Sequence, residues 1–105
     1  MHTLRAYEWD PKKAASNFQR HRAHFADAVT VFSDQMALRI PDEDADADED
    51  RFIILGMSSP GQLLAVSYTW RGDRIRIISA RKATAGERKA YGEVEHARGI
   101  RLQPR

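Results

Sequence analysis

Three arginines and the start of a helix crowd one stretch of this 105-residue chain: Arg74, Arg76 and Arg81, then Lys82, Thr84, Glu87 and Tyr91. A guanidinium group stays charged and offers phosphate oxygens a planar fork of N–H donors. Fixed cations beside a carboxylate and a phenol are what holding and cutting a phosphodiester requires. RNA can be cut in this way without a metal. Its 2′-OH attacks the neighbouring phosphorus, a base removes the proton, an acid protonates the leaving oxygen, and cations stabilise the added charge. Histidine suits the proton steps near neutral pH. Of His2, His21, His24 and His96, His21 is the candidate, since it ends a well-marked helix with Arg20 alongside. Its other use is to cap that helix, where a cation meets the negative end of the dipole. The whole pattern also fits a basic edge strand followed by an ordinary amphipathic helix.

The elements that must position these residues can be read from periodicity. Arg74–Ala80 alternates Arg74 and Arg76 with Ile75 and Ile77, a strand with one apolar face. The Ile77-Ile78 doublet ends the alternation and predicts a fully covered strand end. Thr84 and Glu87 have the spacing of a capping box, so a last helix begins there and runs to about Ala97. Glu87 and Tyr91, four apart, share its face. Upstream, Leu4–Trp9 reads as a strand. Asp10-Pro11 then opens a helix to Arg20 or His21, with Ala14 and Phe18 on its core face. Lys13, Asn17 and His21 form a second stripe, in which Asn17 is expected to orient His21. No glycine closes this helix, and a left-handed Arg22 would be strained. A second helix is expected over Phe25–Phe32, then a short edge strand Met36–Ile40. Arg51–Met57, Gln62–Trp70 and Arg74–Ala80 follow as an antiparallel meander joined by Ser58-Ser59-Pro60-Gly61 and Arg71-Gly72-Asp73. The expected fold is α+β: two N-terminal helices and a C-terminal helix on an antiparallel sheet of about four strands.

The length fits one domain, residues 1–105, with an acidic loop at 41–50 and a polar tail at 98–105. Seven of the fifteen acidic residues lie between Asp42 and Asp50, so the rest of the chain sets 17 basic residues against eight acidic ones. A body that basic favours a polyanionic partner or an acidic protein. The acidic run lacks the glycine and terminal glutamate spacing of a calcium loop and reads as solvated loop, able to fold over the basic face. There is no apolar run of membrane-spanning length and no export signal, and cysteine is absent; the expectation is a cytoplasmic protein away from membranes. No metal constellation, glycine-rich phosphate loop or nucleophile motif is visible, so no cofactor is expected. Trp9 and Tyr7 offer stacking surfaces for unpaired bases, or else core packing.

These residues resemble a family. The pattern Glu8-Trp9-Asp10-Pro11-x-Lys13-x-x-x-Asn17 leads to Arg20-His21, then Phe25-Ala26-Asp27-Ala28-x-x-Val31-Phe32. Glu49-x-Arg51-Phe52 and Gly56 come next, and Arg76–Thr84 with Glu87 and Tyr91 closes it. In this order they are similar to the BrnT-like toxins of bacterial type II toxin–antitoxin systems. The family has Lys-His-Gly where this chain has Arg20-His21-Arg22, and the acidic run is richer. The resemblance implies a RelE-like fold and a metal-independent mRNA endonuclease. It also implies a cognate BrnA-like antitoxin that blocks the toxin, with operator DNA bound only through that complex. On this reading His21, Arg76, Arg81, Glu87 and Tyr91 are the catalytic candidates. Arg20, Arg74, Lys82 and Trp9 would contact RNA. The alternative is a non-catalytic nucleic-acid-binding or antitoxin-partner module acting in operon autoregulation.

Overall fold

Two strands of three residues precede the first helix, where one strand is expected: β1 (His2–Leu4) and β2 (Tyr7–Trp9) pair as a hairpin, Leu4 opposite Tyr7. Then come α1 (Pro11–His21), α2 (Phe25–Val31), β3 (Leu38–Pro41), β4 (Arg51–Met57), β5 (Leu63–Arg71), β6 (Arg74–Lys82) and α3 (Ala85–Leu102). The computed structural model describes the backbone at residues 2–4, 6–42 and 50–102, and side chains at 6–40, 42 and 50–94. Most of the acidic run therefore lies outside the described residues. So do His2 and His96 as side chains. The tail expected from residue 98 is helical backbone as far as Leu102.

The strands form one six-stranded sheet in the order β1-β2-β6-β5-β4-β3. The antiparallel meander β3 to β6 is as expected. The correction lies at the other end. Strand β2 joins β6 in parallel, with Tyr7 opposite Ile75 and Glu8 opposite Arg76, so the sheet is mixed and has two more strands than expected. A parallel pairing between residues almost 70 positions apart leaves no local turn signal to read.

Period-two alternation sorts the side chains onto two faces. Ile54, Leu64, Val66, Tyr68 and Ile77 pack beneath α1 and α2 with Trp9, Phe25, Ala28 and Val31. Leu55, Leu63 and Ala65 face the other way and meet Tyr91 of α3. Strand β6 changes parity partway. Tyr68 of β5 faces Ile77 but Ser67 faces Ser79, so Ile78 is an extra residue, a β-bulge. This bulge explains the Ile77-Ile78 doublet; the strand end is not uniformly covered. Its consequence is that Arg74, Arg76, Ser79 and Arg81 all stand on the α3 face.

Asp10 caps α1, accepting a bond from Lys12 N at 2.9 Å. Arg22 closes it in the left-handed region (φ 55°, ψ 32°), donating its N–H to Phe18 O at 2.8 Å. That conformation costs an L-residue roughly 1–2 kcal/mol. The Arg22 guanidinium lies 5.4 Å over the Phe18 ring and offsets part of it. Between these ends the buried residue is Asn17, 2% exposed. It does not orient His21. Its Nδ2 donates to Ala80 O at 2.8 Å and Ala23 O at 3.1 Å, and its Oδ1 accepts from Ala80 N at 3.1 Å. A second tie is Asp34, which accepts from Met36 N, Met57 N and the Tyr91 hydroxyl at 2.7–2.9 Å. Gly56 beside it has no room for a side chain: a Cβ would lie 2.9 Å from Val31 Cγ1.

Asn17→Ala leaves three buried backbone groups without their partner, at about 1–3 kcal/mol each where no water replaces it. The expected loss is about 3 kcal/mol in urea unfolding. Asn17→Asp is expected to be no milder at pH 7, because it turns a carboxylate oxygen towards two carbonyls. A loss below 1 kcal/mol for both variants would show that the amide is dispensable.

Candidate functional site

The turn from β6 into α3 is built by the capping box. Glu87 N donates to Thr84 Oγ1 at 3.1 Å, and Glu87 Oε1 accepts from Thr84 N at 2.9 Å. The same carboxylate takes the fork of Arg81, Nη1 to Oε1 at 2.7 Å and Nη2 to Oε2 at 3.0 Å. The hydrogen bonds from Arg81, aided by those from Thr84 and opposed by burial, lower the Glu87 pKa from 4.5 to about 2. The pair in turn raises that of Arg81. Glu87 is thus an anion at neutral pH, far from the value that suits proton transfer there. What it does is fix the direction of Arg81, the bidentate geometry that a lysine could not reproduce.

Arg76 is held in a similar way further along the strand. Its Nε and Nη2 each lie 3.1 Å from Glu8 Oε2. The parallel register of β2 on β6 sets this contact, since Glu8 stands opposite Arg76. Arg76 and Arg81 are five positions apart, but with the bulge between them they span only the four steps from Thr69 to Ala65 on β5, about 13 Å. Their forks are turned to separate carboxylates, Glu8 and Glu87, and do not converge on one point.

A polar cleft of about 260 Å³ opens on the α3 face, lined by Asp42, Arg51, Ile53, Ala65, Ser67, Ile78, Ser79 and Arg81. Within it Asp42 Oδ2 accepts from Ser67 Oγ at 3.3 Å and lies 3.9 Å from Arg51 Nε. A second cleft, about 270 Å³, lies over the outer edge of β6 and is lined by Lys13, Ser16, Asn17, Arg20, Ile78 and Ser79. The two share Ile78 and Ser79, the bulge itself. A larger cavity, about 600 Å³, lies between α1 and α2 among Trp9, Ala14, Phe18 and Phe25. It is mainly apolar and contains none of the arginines, so the chemistry places the site elsewhere.

Of the residues singled out by sequence, the structure brings Arg81 and Glu87 into contact, puts Arg76 on the same face and sets Arg20 across the strand edge. Arg74 is half-buried at the start of β6, about 20 Å along the strand from Arg81. Lys82 is exposed at its end. Tyr91 is 5% exposed and its hydroxyl donates to Asp34, so it braces α3. His21, half-buried in the last turn of α1, lines neither cleft. Trp9 is 7% exposed and meets Phe25 edge-on at 6.1 Å, so it packs in the core beside the apolar cavity. Sequence reasoning missed Asp42, Ser67, Ser79 and Lys13 as cleft residues. Asp42 was hidden at the head of the acidic run. Lys13 carried a signal, its place on the Asn17 stripe, but nothing said which way that stripe faces.

Two comparisons bear on this arrangement. A family model described as "Ribonuclease toxin, BrnT, of type II toxin-antitoxin system" matches residues 9–87. Among solved structures, the chain is similar to the crystal structure of the Brucella abortus ribonuclease toxin, BrnT, at 28% identity and a TM-score of 0.56. The match covers 72% of this chain and 92% of that one. No curated protein matches the chain.

The Arg81–Glu87 pair gives stability a defined pH dependence. With the folded pKa below the unfolded one, the ionised pair stabilises the fold above about pH 4.5, and this is lost as pH falls towards 2. The shift alone corresponds to about 3 kcal/mol; solvent screening of the partly exposed Arg81 reduces it to about 1–2 kcal/mol. Glu87→Gln is expected to be less stable by that amount at pH 7, with the difference from the unsubstituted protein shrinking progressively between pH 4.5 and 2. Urea midpoints across that range check it; a difference independent of pH would refute the assignment.

Proposed function

This chain belongs to the BrnT family of ribonuclease toxins from type II toxin–antitoxin systems, and from that premise we propose that it is an endoribonuclease cutting RNA on the α3 face of its sheet without a metal. A RelE-like fold class, a cytoplasmic site of action and a BrnA-like antitoxin that blocks the toxin are parts of the same proposal. Operator DNA would be reached only through the antitoxin complex. The observation that carries the catalytic part is Arg81, held rigid by Glu87 at the rim of a polar cleft on an otherwise basic protein.

Arg81 donates to the scissile phosphate through the N–H groups that Glu87 leaves over, and stabilises the charge that builds there. Arg76 binds a phosphate further along the strand. Arg74 and Lys82, at the two ends of β6, add to the field that draws RNA in. Glu87 is a positioning residue, and Tyr91 supports α3 from within. Catalysis on this reading comes mainly from alignment of the 2′-OH with its phosphorus and from fixed positive charge, with solvent water accepting the 2′-OH proton and supplying one to the leaving oxygen. Alignment alone can supply about 7–11 kcal/mol of a barrier. His21 is assigned to the end of α1 rather than to proton transfer, since it lines neither cleft.

The commitment of Glu87 and Tyr91 to structural bonds also favours a second reading, a binding module that has lost cleavage. One assay separates the two. Purified protein, free of partner, is incubated with RNA in EDTA. Cleavage supports the enzyme; binding without cleavage supports the module. In the same assay Arg81→Ala is expected to lower the rate by about 10²–10³, the usual effect of losing one transition-state donor. Glu87→Gln, which frees the fork without removing it, should cost less. His21→Ala should leave the rate within a few-fold. Circular dichroism confirms that each variant is folded. Unchanged cleavage by Arg81→Ala would remove Arg81 from the chemistry.

A further inference from the structure

We propose that the cleft over the outer edge of β6 is a second phosphate subsite, in which Lys13 and Arg20 hold the RNA backbone next to the nucleotide at Arg81. This rests on the ribonuclease reading and extends it to where the strand runs.

Several cations of this region are already occupied. Arg76 is bound to Glu8, Arg81 to Glu87, and Arg22 lies over the Phe18 ring. Lys13 and Arg20 are exposed and have no ion-pair or hydrogen-bond partner among the described residues. A polyanion arriving at this surface meets in them positive charge that no carboxylate has to give up.

Lys13 and Arg20 also lie close to Arg81. Both line one cleft with the hydroxyl residues Ser16 and Ser79, and that cleft shares Ile78 and Ser79 with the cleft of Arg81. A strand leaving Arg81 need only cross the bulge to reach α1. The helix that carries them is firmly tied to the strand. Asn17 is bonded to Ala80 on β6, and Lys13 and Arg20 stand one turn before and one turn after it on the same helix. Seven residues of helix set their backbones about 10 Å apart. Their backbones therefore flank the strand edge at a fixed spacing, and the exposed side chains reach from there. Asn17, with its hydrogen bonds already made, is the wall of this subsite and not a ligand.

The helix supplies its own control. Lys12 is also exposed and carries the same charge, but it does not line the cleft. The test uses a fluorescent single-stranded RNA oligonucleotide with 2′-O-methyl groups, which cannot be cleaved by 2′-OH attack. Its affinity is measured by anisotropy over a range of salt concentrations. Each phosphate contact to a single strand contributes about 0.7 to the slope of log affinity against log salt. Lys13→Gln and Arg20→Gln are each expected to reduce the slope by about that amount, the double variant by about twice as much, and Lys12→Gln by clearly less. Slopes for Lys13→Gln and Arg20→Gln no different from that of Lys12→Gln would overturn the subsite, as would failure of the unsubstituted protein to bind the oligonucleotide. The cleavage assay is scored separately on unmodified RNA. A protein that binds with the expected slopes but does not cut keeps the subsite and loses the ribonuclease reading. One that cuts, with slopes unaffected by the two substitutions, loses the subsite alone.

Discussion

The hydrogen bonds of one buried amide, Asn17, decide where the first helix lies. Strand β2 covers β6 only as far as Arg76, and beyond that point β6 would present bare backbone groups. Asn17 supplies what a further strand would have supplied at Ala80, a donor for its carbonyl and an acceptor for its N–H. The same Nδ2 also takes the carbonyl of Ala23, which is fully buried. That bond requires the chain to turn back sharply after His21. The turn is made by Arg22 in the left-handed region, and the strain there is offset by bonds on either side of it.

With α1 fixed to that edge, the bulge at Ile78 becomes the hinge of the site. Without the extra residue, strict alternation would send Arg81 to the face of α1 and α2, away from Arg76. With it, Arg76, Ser79 and Arg81 share a face, and the strand end is aimed at the capping box of α3. Three local devices therefore converge on a few residues: an amide clamp, a bulge and a helix cap. None is costly alone, and each would be far less informative without the other two.

Much of this was legible in sequence, for identifiable reasons. Asp10-Pro11, the Thr84–Glu87 spacing and the alternation of Gln62–Trp70 act through neighbours in the chain, and all three formed as expected. The strain at Arg22 was visible as a missing glycine. What could not be read depends on contacts between distant segments. The parallel pairing of β2 on β6, the Asn17–Ala80 bonds and the Tyr91–Asp34 bond join residues more than fifty positions apart. Periodicity placed Ala14 and Phe18 on the core face of α1, but the most buried residue of that helix is polar. A hydrophobic pattern does not register an asparagine whose partners are backbone. The site residues divided along the same line. Arg81 and Glu87, six apart, were found together. His21, Tyr91 and Trp9 were chosen for their chemistry, and packing gave the last two other duties.

The pairing of Arg76 and Arg81 with carboxylates bears on how such a surface can recognise phosphate at all. A carboxylate next to a phosphate repels it, so each glutamate weakens the local field. An unpaired arginine, however, must lose rotamer freedom when it binds. Glu87 removes that cost in advance, because the capping box holds the carboxylate and the carboxylate holds the fork. The guanidinium has five N–H donors, and a bidentate partner takes two. The others keep a fixed direction, which matters more at the bond being broken than net charge does. Net charge is better supplied from nearby, by side chains free to follow the backbone. The exposed cations of α1 are of that second kind, and the bulge brings the two kinds to adjoining clefts. On the proposed ribonuclease reading, a rigid arginine for the reacting phosphate beside mobile cations along the strand is the division of labour, and Asn17 and Ile78 bring the two together.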